Sequence, residues 1–250
     1  MLDKLNIEDL PASSRKYPYV FFKADRPCGD IILKVDGISK TIDGERVLDD
    51  LSFTVNKGDK IAFVGSNGLA KTTLFQILVG ELAPDSGNIR WGVTMTHSYF
   101  PKDNNEYFTA EQNLIEWLRR FAPQGSDDET FVRGFLGRML FSGEEALKKT
   151  SALSGGERVR CMLARMMLVG ANALILDEPT NHLDLESITA LNNGLIAYPE
   201  VILFSSHDHE FVATVANRII EITKTGCIDR MMGYDDYLED PEVARLREIG

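Results

Sequence analysis

A glycine-rich stretch, Gly65-Ser66-Asn67-Gly68-Leu69-Ala70-Lys71-Thr72-Thr73, follows the apolar run Lys60-Ile61-Ala62-Phe63-Val64 and precedes a helical pattern. A turn between a buried strand and a helix aims backbone N–H groups and the helix N-terminus at one point, which suits phosphate. A lysine then reaches the phosphate oxygens, and a hydroxyl is placed to hold magnesium. The usual spacing is G-x-x-x-x-G-K-[ST]; here Ala70 takes the place of the second glycine. If that position requires positive φ, its methyl costs on the order of 1 kcal/mol. An accidental glycine turn would not account for Lys71-Thr72-Thr73.

A second candidate is Ala173-Leu174-Ile175-Leu176-Asp177-Glu178-Pro179-Thr180, four apolar residues ending abruptly in two carboxylates. At the C-terminal edge of a parallel sheet, such an ending faces the ligand crevice. Asp177 is expected to hold magnesium through water, and Glu178 to orient or deprotonate an attacking water. A third is Leu153-Ser154-Gly155-Gly156-Glu157-Arg158. Ser154 reads as the N-cap of a helix over 155–169, which explains the helix start but not its place just ahead of Asp177.

Together these three motifs resemble the ATP-binding domain of the ABC ATPases, whose signature is LSGGE/Q. The resemblance implies that Ser154, Gly155, Gly156 and the helix dipole engage the γ-phosphate held by an opposite domain. A fourth group narrows it. Pro179-Thr180-Asn181-His182-Leu183-Asp184 and Ser205-Ser206-His207-Asp208-His209-Glu210 are similar to the ABC-F subgroup, soluble tandem ATPases without membrane domains, whose characterised members act on the ribosome. Transporter subunits more often read PTSALD and THD there. The resemblance implies ATP and Mg as ligands, with His207 as the γ-phosphate switch. It further implies a partner, either a first ATPase domain of the same protein or a second copy in an ATP sandwich. Ribosomal and transfer RNA contacts in the family come largely from the inter-domain linker.

Three positions depart from that pattern. Ala70 is one. Tyr99-Phe100-Pro101-Lys102-Asp103 puts Lys102 where a magnesium-touching glutamine is usual, and an ammonium, a donor only, pairs with phosphate or with Asp103 instead. The adenine-stacking aromatic belongs near Lys40-Thr41-Ile42, where Ile42 offers apolar contact and Val47 helps to line the base site. A slow rather than an absent ATPase site is expected. A transporter ATPase subunit and a regulatory nucleotide-binding module with little turnover remain alternatives.

The elements that position these residues follow from periodicity. Ile31–Val35 and Val47–Val55 alternate as strands around a turn at Asp43-Gly44, and 88–99 reads as further strand. Helices are expected over 72–79, 155–169, 186–197 and 208–216, and buried strands over 173–176 and 201–205. The fold class is α/β: a mostly parallel sheet, an antiparallel β segment near 31–55 and an inserted helical subdomain at about 105–150. Residues 1–30 read as the end of a linker, and 31–250 as the ATP-binding domain. The chain is thus expected to be a second ATPase domain with a linker remnant.

Composition sets the outer bounds. The 250 residues are 44% hydrophobic and 26% charged, in the range of globular chains. Thirty-eight acidic against 27 basic residues leave a net charge of −11, without the broad basic footprint of most nucleic-acid binders. Arg119-Arg120 and Lys148-Lys149 read as solvated helix faces, so strong nucleic-acid binding by this segment alone is not expected. The 3 cysteines, Cys28, Cys161 and Cys227, fit reduced thiols. No run approaches the ~18–20 apolar residues of a membrane span, and the N-terminus has charges where a signal peptide would be apolar. A cytoplasmic location is expected.

Overall fold

A computed structural model describes residues 17–123, 125 and 128–249. Ser13 to Lys16 of the expected linker end, and the tract before them, lie outside the described residues. The domain opens with a hairpin of β1 (Leu33–Ile42) and β2 (Glu45–Val55). Its Asp43-Gly44 turn has φ of 49° and 85°, both positive, as a right-twisted two-residue hairpin prefers. Next come β3 (Lys60–Val64), α1 (Gly68–Leu78), β4 (Ser86–Trp91) and β5 (His97–Phe100). The expected strand over 88–99 is therefore two strands, and they join different sheets. The break falls at Gly92, where a Cβ would lie 1.8 Å from the Ile31 carbonyl oxygen, so only glycine permits the crossing.

The insertion holds α2 (Leu114–Arg119), α3 (Glu129–Arg138) and short 3₁₀ turns at Asn105–Phe108, Gly143–Leu147 and Thr150–Ala152. Then follow α4 (Gly155–Val169), β6 (Ala173–Asp177), α5 (Leu185–Ala197), β7 (Val201–Ser205) and α6 (His209–Val215). Beyond residue 216, where sequence periodicity assigned no element, lie β8 (Arg218–Thr223), β9 (Gly226–Arg230), α7 (Tyr234–Glu239) and α8 (Pro241–Ile249).

The larger sheet runs β5-β6-β7-β3-β8-β9, parallel except for β9; the smaller, β2-β1-β4, is antiparallel. Both faces of the larger sheet are covered, so its central strands β6, β7 and β3 are apolar except at their ends and alternate between two cores. Ile61, Phe63, Ile175 and Leu203 face the core shared with α1 and the smaller sheet. Ala62, Leu174, Leu176 and Phe204 face the core built with α4, α5, α6 and the insertion. Arg218, buried at the start of β8, closes the sheet's opposite end on Asp59 and Asp229 at 2.6 and 2.5 Å.

The described part of the lead-in packs on this domain. Tyr19 N donates to the Arg138 carbonyl at 2.8 Å and Asp25 N to the Gly170 carbonyl at 2.8 Å, while Val20 and Phe22 enter the helical core. Cys28 is buried beside Glu200, and burial together with that carboxylate pushes its thiol up to about 12. Among the described residues no helix is long and apolar enough to cross a membrane.

Candidate active site

The carboxyl edge of the parallel sheet gathers the residues singled out above. β3 ends at Val64, and Gly65 turns the chain at φ +125°, where a Cβ would lie 2.8 Å from the Ile222 carbonyl oxygen. Asn67 caps α1, its side chain accepting from Ala70 N at 3.2 Å. Gly68, Leu69, Ala70, Lys71, Thr72 and Thr73 thus form the first turns of the helix, with Ser66 in the loop before it. Ala70 has helical backbone and its methyl is buried in the core; the positive φ that would strain an alanine is absent. Lys71 is 3% exposed and its Nζ donates to the Gly65 carbonyl at 3.3 Å, folding the ammonium over the loop.

β6 and β7 pair in parallel, which sets Asp177 beside Ser205. Thr72 Oγ1 donates to Asp177 Oδ2 at 2.6 Å, and Ser205 Oγ donates to Asp177 Oδ1 at 2.8 Å. A hydroxyl and a buried carboxylate are hard oxygen donors, a set that fits magnesium completed by phosphate and water. The Tyr99 phenol lies buried near by, its proton held more tightly through burial and the Asp177 charge.

Glu178 leaves the strand in the left-handed region, φ +51°, a conformation rare outside glycine and found where a chain must re-aim a side chain. Its N–H donates to the Ser205 carbonyl at 3.1 Å, and its Oε2 accepts from His207 N at 3.1 Å. Glu178 Oε1 is buried without a hydrogen bond, 3.3 Å from His207 Nε2. The His207 ring is otherwise open to solvent and shares a cavity with Gly65 and Lys71.

Ser154 caps α4 in a reciprocal capping box with Glu157, which Lys148 holds at 2.9 Å. Gly155 and Gly156 pack against His182; a Cβ on Gly156 would lie 3.0 Å from the His182 carbonyl oxygen. Gly155 lines a cavity with Glu178, Lys102 and Arg158, whereas Lys71 lines a different one. Val47 lines a cavity of about 520 Å³ with Ser66, Asn67 and Ala70, while Ile42 packs on the core beneath the smaller sheet. Lys149 pairs with Glu111 and Arg119 lies 3.8 Å from Glu129, so carboxylates neutralise both basic pairs in part. Ser205 had no assigned role in the sequence; only strand pairing reveals it as the partner of Asp177.

Known proteins are similar to this chain in sequence and in fold. The ABC transporter family matches residues 48–181. The chain is 59% identical over 246 residues to the uncharacterized ABC transporter ATP-binding protein YkpA of Bacillus subtilis, covering 98% of this chain and 45% of YkpA. It is 34% identical over 218 residues to the energy-dependent translational throttle protein EttA of Escherichia coli, covering 84% of this chain and 39% of EttA. The chain thus spans less than half the length of these curated relatives. In fold it is similar to cbiO1 of Clostridium perfringens, part of the ABC transporter complex cbiONQ, with TM-score 0.65, 22% identity, and 88% and 95% of the two chains covered. With the Gly65–Thr73 loop, the strand-end carboxylates and the Ser154-Gly155-Gly156 cap all inside the matched segment, the chain belongs to the ABC transporter family of ATP-binding domains.

Proposed function

We propose that this chain binds ATP with magnesium and hydrolyses it slowly, as one ATPase domain of an ABC-F-type protein. The observation that carries this reading is the 2.6 Å bond from Thr72 to Asp177, which joins the loop after β3 to the carboxylate ending β6. In this reading Lys71 and the 65–73 backbone hold the phosphates, and Val47 lies against the base. Thr72 and Asp177 hold magnesium, which would offset phosphate charge as the terminal bond breaks. Glu178 accepts the proton of the attacking water, its Oε1 having no hydrogen bond among the described residues. His207, beside it at 3.3 Å, orients that carboxylate and senses the γ-phosphate.

Ser154, Gly155 and Gly156 serve a second domain's nucleotide. Of the three, Gly155 lines a cavity that Lys71 does not, which supports a role outside the chain's own phosphate loop. A ribosomal role is supported by the identity to EttA and by the Asn181-His182-Leu183-Asp184 sequence. A transporter-subunit role draws support from a cavity of about 600 Å³ between α1 and the insertion, lined by Gln76, Tyr107 and Phe121, where a partner's helix could seat.

Titration with a fluorescent ATP analogue tests the core of this reading. Lys71→Ala should weaken MgATP binding by about tenfold or more, since it removes a buried charge from the phosphates. Unchanged affinity would refute the phosphate-loop assignment. Cosedimentation of the longer protein with ribosomes, against copurification with an integral membrane protein, separates the two cellular roles.

A further inference from the structure

Lys102 is free. Among the described residues it makes no hydrogen bond and no ion pair, although Asp103 is its neighbour; Asp103 Oδ1 accepts from Asn105 N instead. Its Nζ would lie 3.8 Å from a Cβ placed on Gly68, the first residue of α1. β5 pairs with β6 so that Phe100 stands opposite Leu176, and Lys102 and Glu178 then leave the sheet side by side. They line one cavity of about 290 Å³ with Arg158. Within it the Glu178 Oε1 has no hydrogen bond, and neither has the buried Arg158 Nε.

Two ammonium groups therefore flank one loop. Lys71 lies over its start, on the Gly65 carbonyl, and Lys102 stands by its end, at Gly68. A solvent-facing lysine left without a carboxylate at a helix N-terminus adds positive potential where the helix dipole already favours an anion. Lysine acts there as a flexible point charge and adapts to whichever phosphate oxygen is presented.

We propose that Lys102 is a second phosphate-binding lysine whose charge replaces part of the divalent cation's, so that the site holds metal-free ATP nearly as well as MgATP. The proposal rests on the phosphate-loop reading above and concerns binding, not the hydrolytic step. An amide at this position could ligate magnesium but would bring no charge of its own to a bare triphosphate.

The test is titration of the 250-residue chain with a fluorescent ATP analogue, once in magnesium and once in EDTA. Wild type, Lys102→Gln, Lys102→Arg and Lys71→Ala are compared. Wild-type affinity in EDTA should stay within about fivefold of that in magnesium, and Lys102→Gln should widen the gap by about tenfold, the scale of one charge-assisted contact. Lys102→Arg should restore most of the difference, because it keeps the charge. If EDTA abolishes wild-type binding while MgATP binding remains and depends on Lys71, the Lys102 proposal fails and the phosphate-loop reading stands. An equal loss for Lys102→Gln in both buffers also overturns it. If wild type binds in neither buffer, or Lys71→Ala changes nothing, the phosphate-loop reading itself falls and the proposal with it.

Discussion

Ala70 illustrates how a single residue changes meaning between sequence and fold. By motif alone its methyl threatens the approach of backbone to phosphate. In the structure it is a helical residue, 1% exposed, with its N–H capped by Asn67 and its methyl in the core between the sheets. Ala70→Gly should therefore lower stability by about 1 kcal/mol through helix propensity and lost packing. It should leave nucleotide turnover no faster. Chemical denaturation beside a phosphate-release assay measures both, and a rise in turnover would show that the methyl does obstruct the site. Lys71, Thr72, Asp177 and Glu178 stood out in the sequence because residue type and strand-end position together suggest a phosphate and magnesium site. Ser205 was not: a serine gains its role only when β7 sets it beside Asp177.

Among the elements, the lead-in carries the clearest departure from its sequence pattern. Pro and Ser punctuation read as a linker, yet residues 17–28 are pinned from α3 to Glu200 by hydrogen bonds of their backbone N–H groups and by the buried Pro18, Val20, Phe22 and Cys28. Gly194 of α5 makes room for it; a Cβ there would lie 2.8 Å from Val20 Cγ1 and 2.9 Å from the Val20 carbonyl oxygen. Phe22, packed edge-on against Tyr198, should destabilise the domain by about 3 kcal/mol or more when cut to alanine. A urea melt of Phe22→Ala that overlays wild type would mean that the segment only rests on the surface. The insertion was legible as helical from its spacing. Its 3₁₀ turns were not, since pieces that short leave no periodic mark.

For the molecule as a whole, the question is pairing. Ser154 and Gly155 lie apart from the cavity that holds Lys71, as expected if each signature motif completes a neighbour's site. Light scattering should find the chain mainly monomeric without nucleotide. Glu178→Gln with MgATP should shift it toward a pair, because a nucleotide bound only by the associated form and no longer hydrolysed stabilises that form. No shift at high protein concentration would remove the signature motif's role in trans. It would leave the phosphate loop untouched.

What the sequence determined by itself was the local pattern: the loop from Gly65 to Thr73, the carboxylates after Leu176, the cap at Ser154, and the alternation of strands and helices around them. These are readable because a phosphate loop, a buried parallel strand and a helix cap each need particular residue types at close sequence spacing. Tertiary structure decided everything that depends on which strands adjoin. The order β5-β6-β7-β3-β8-β9 brings Thr72 to Asp177, Asp177 to Ser205, and Lys102 to the edge that Glu178 leaves. It also divides 88–99 between two sheets. Strand order is a property of long-range pairing, whose energy comes from surfaces far apart in the chain, and no local pattern encodes it.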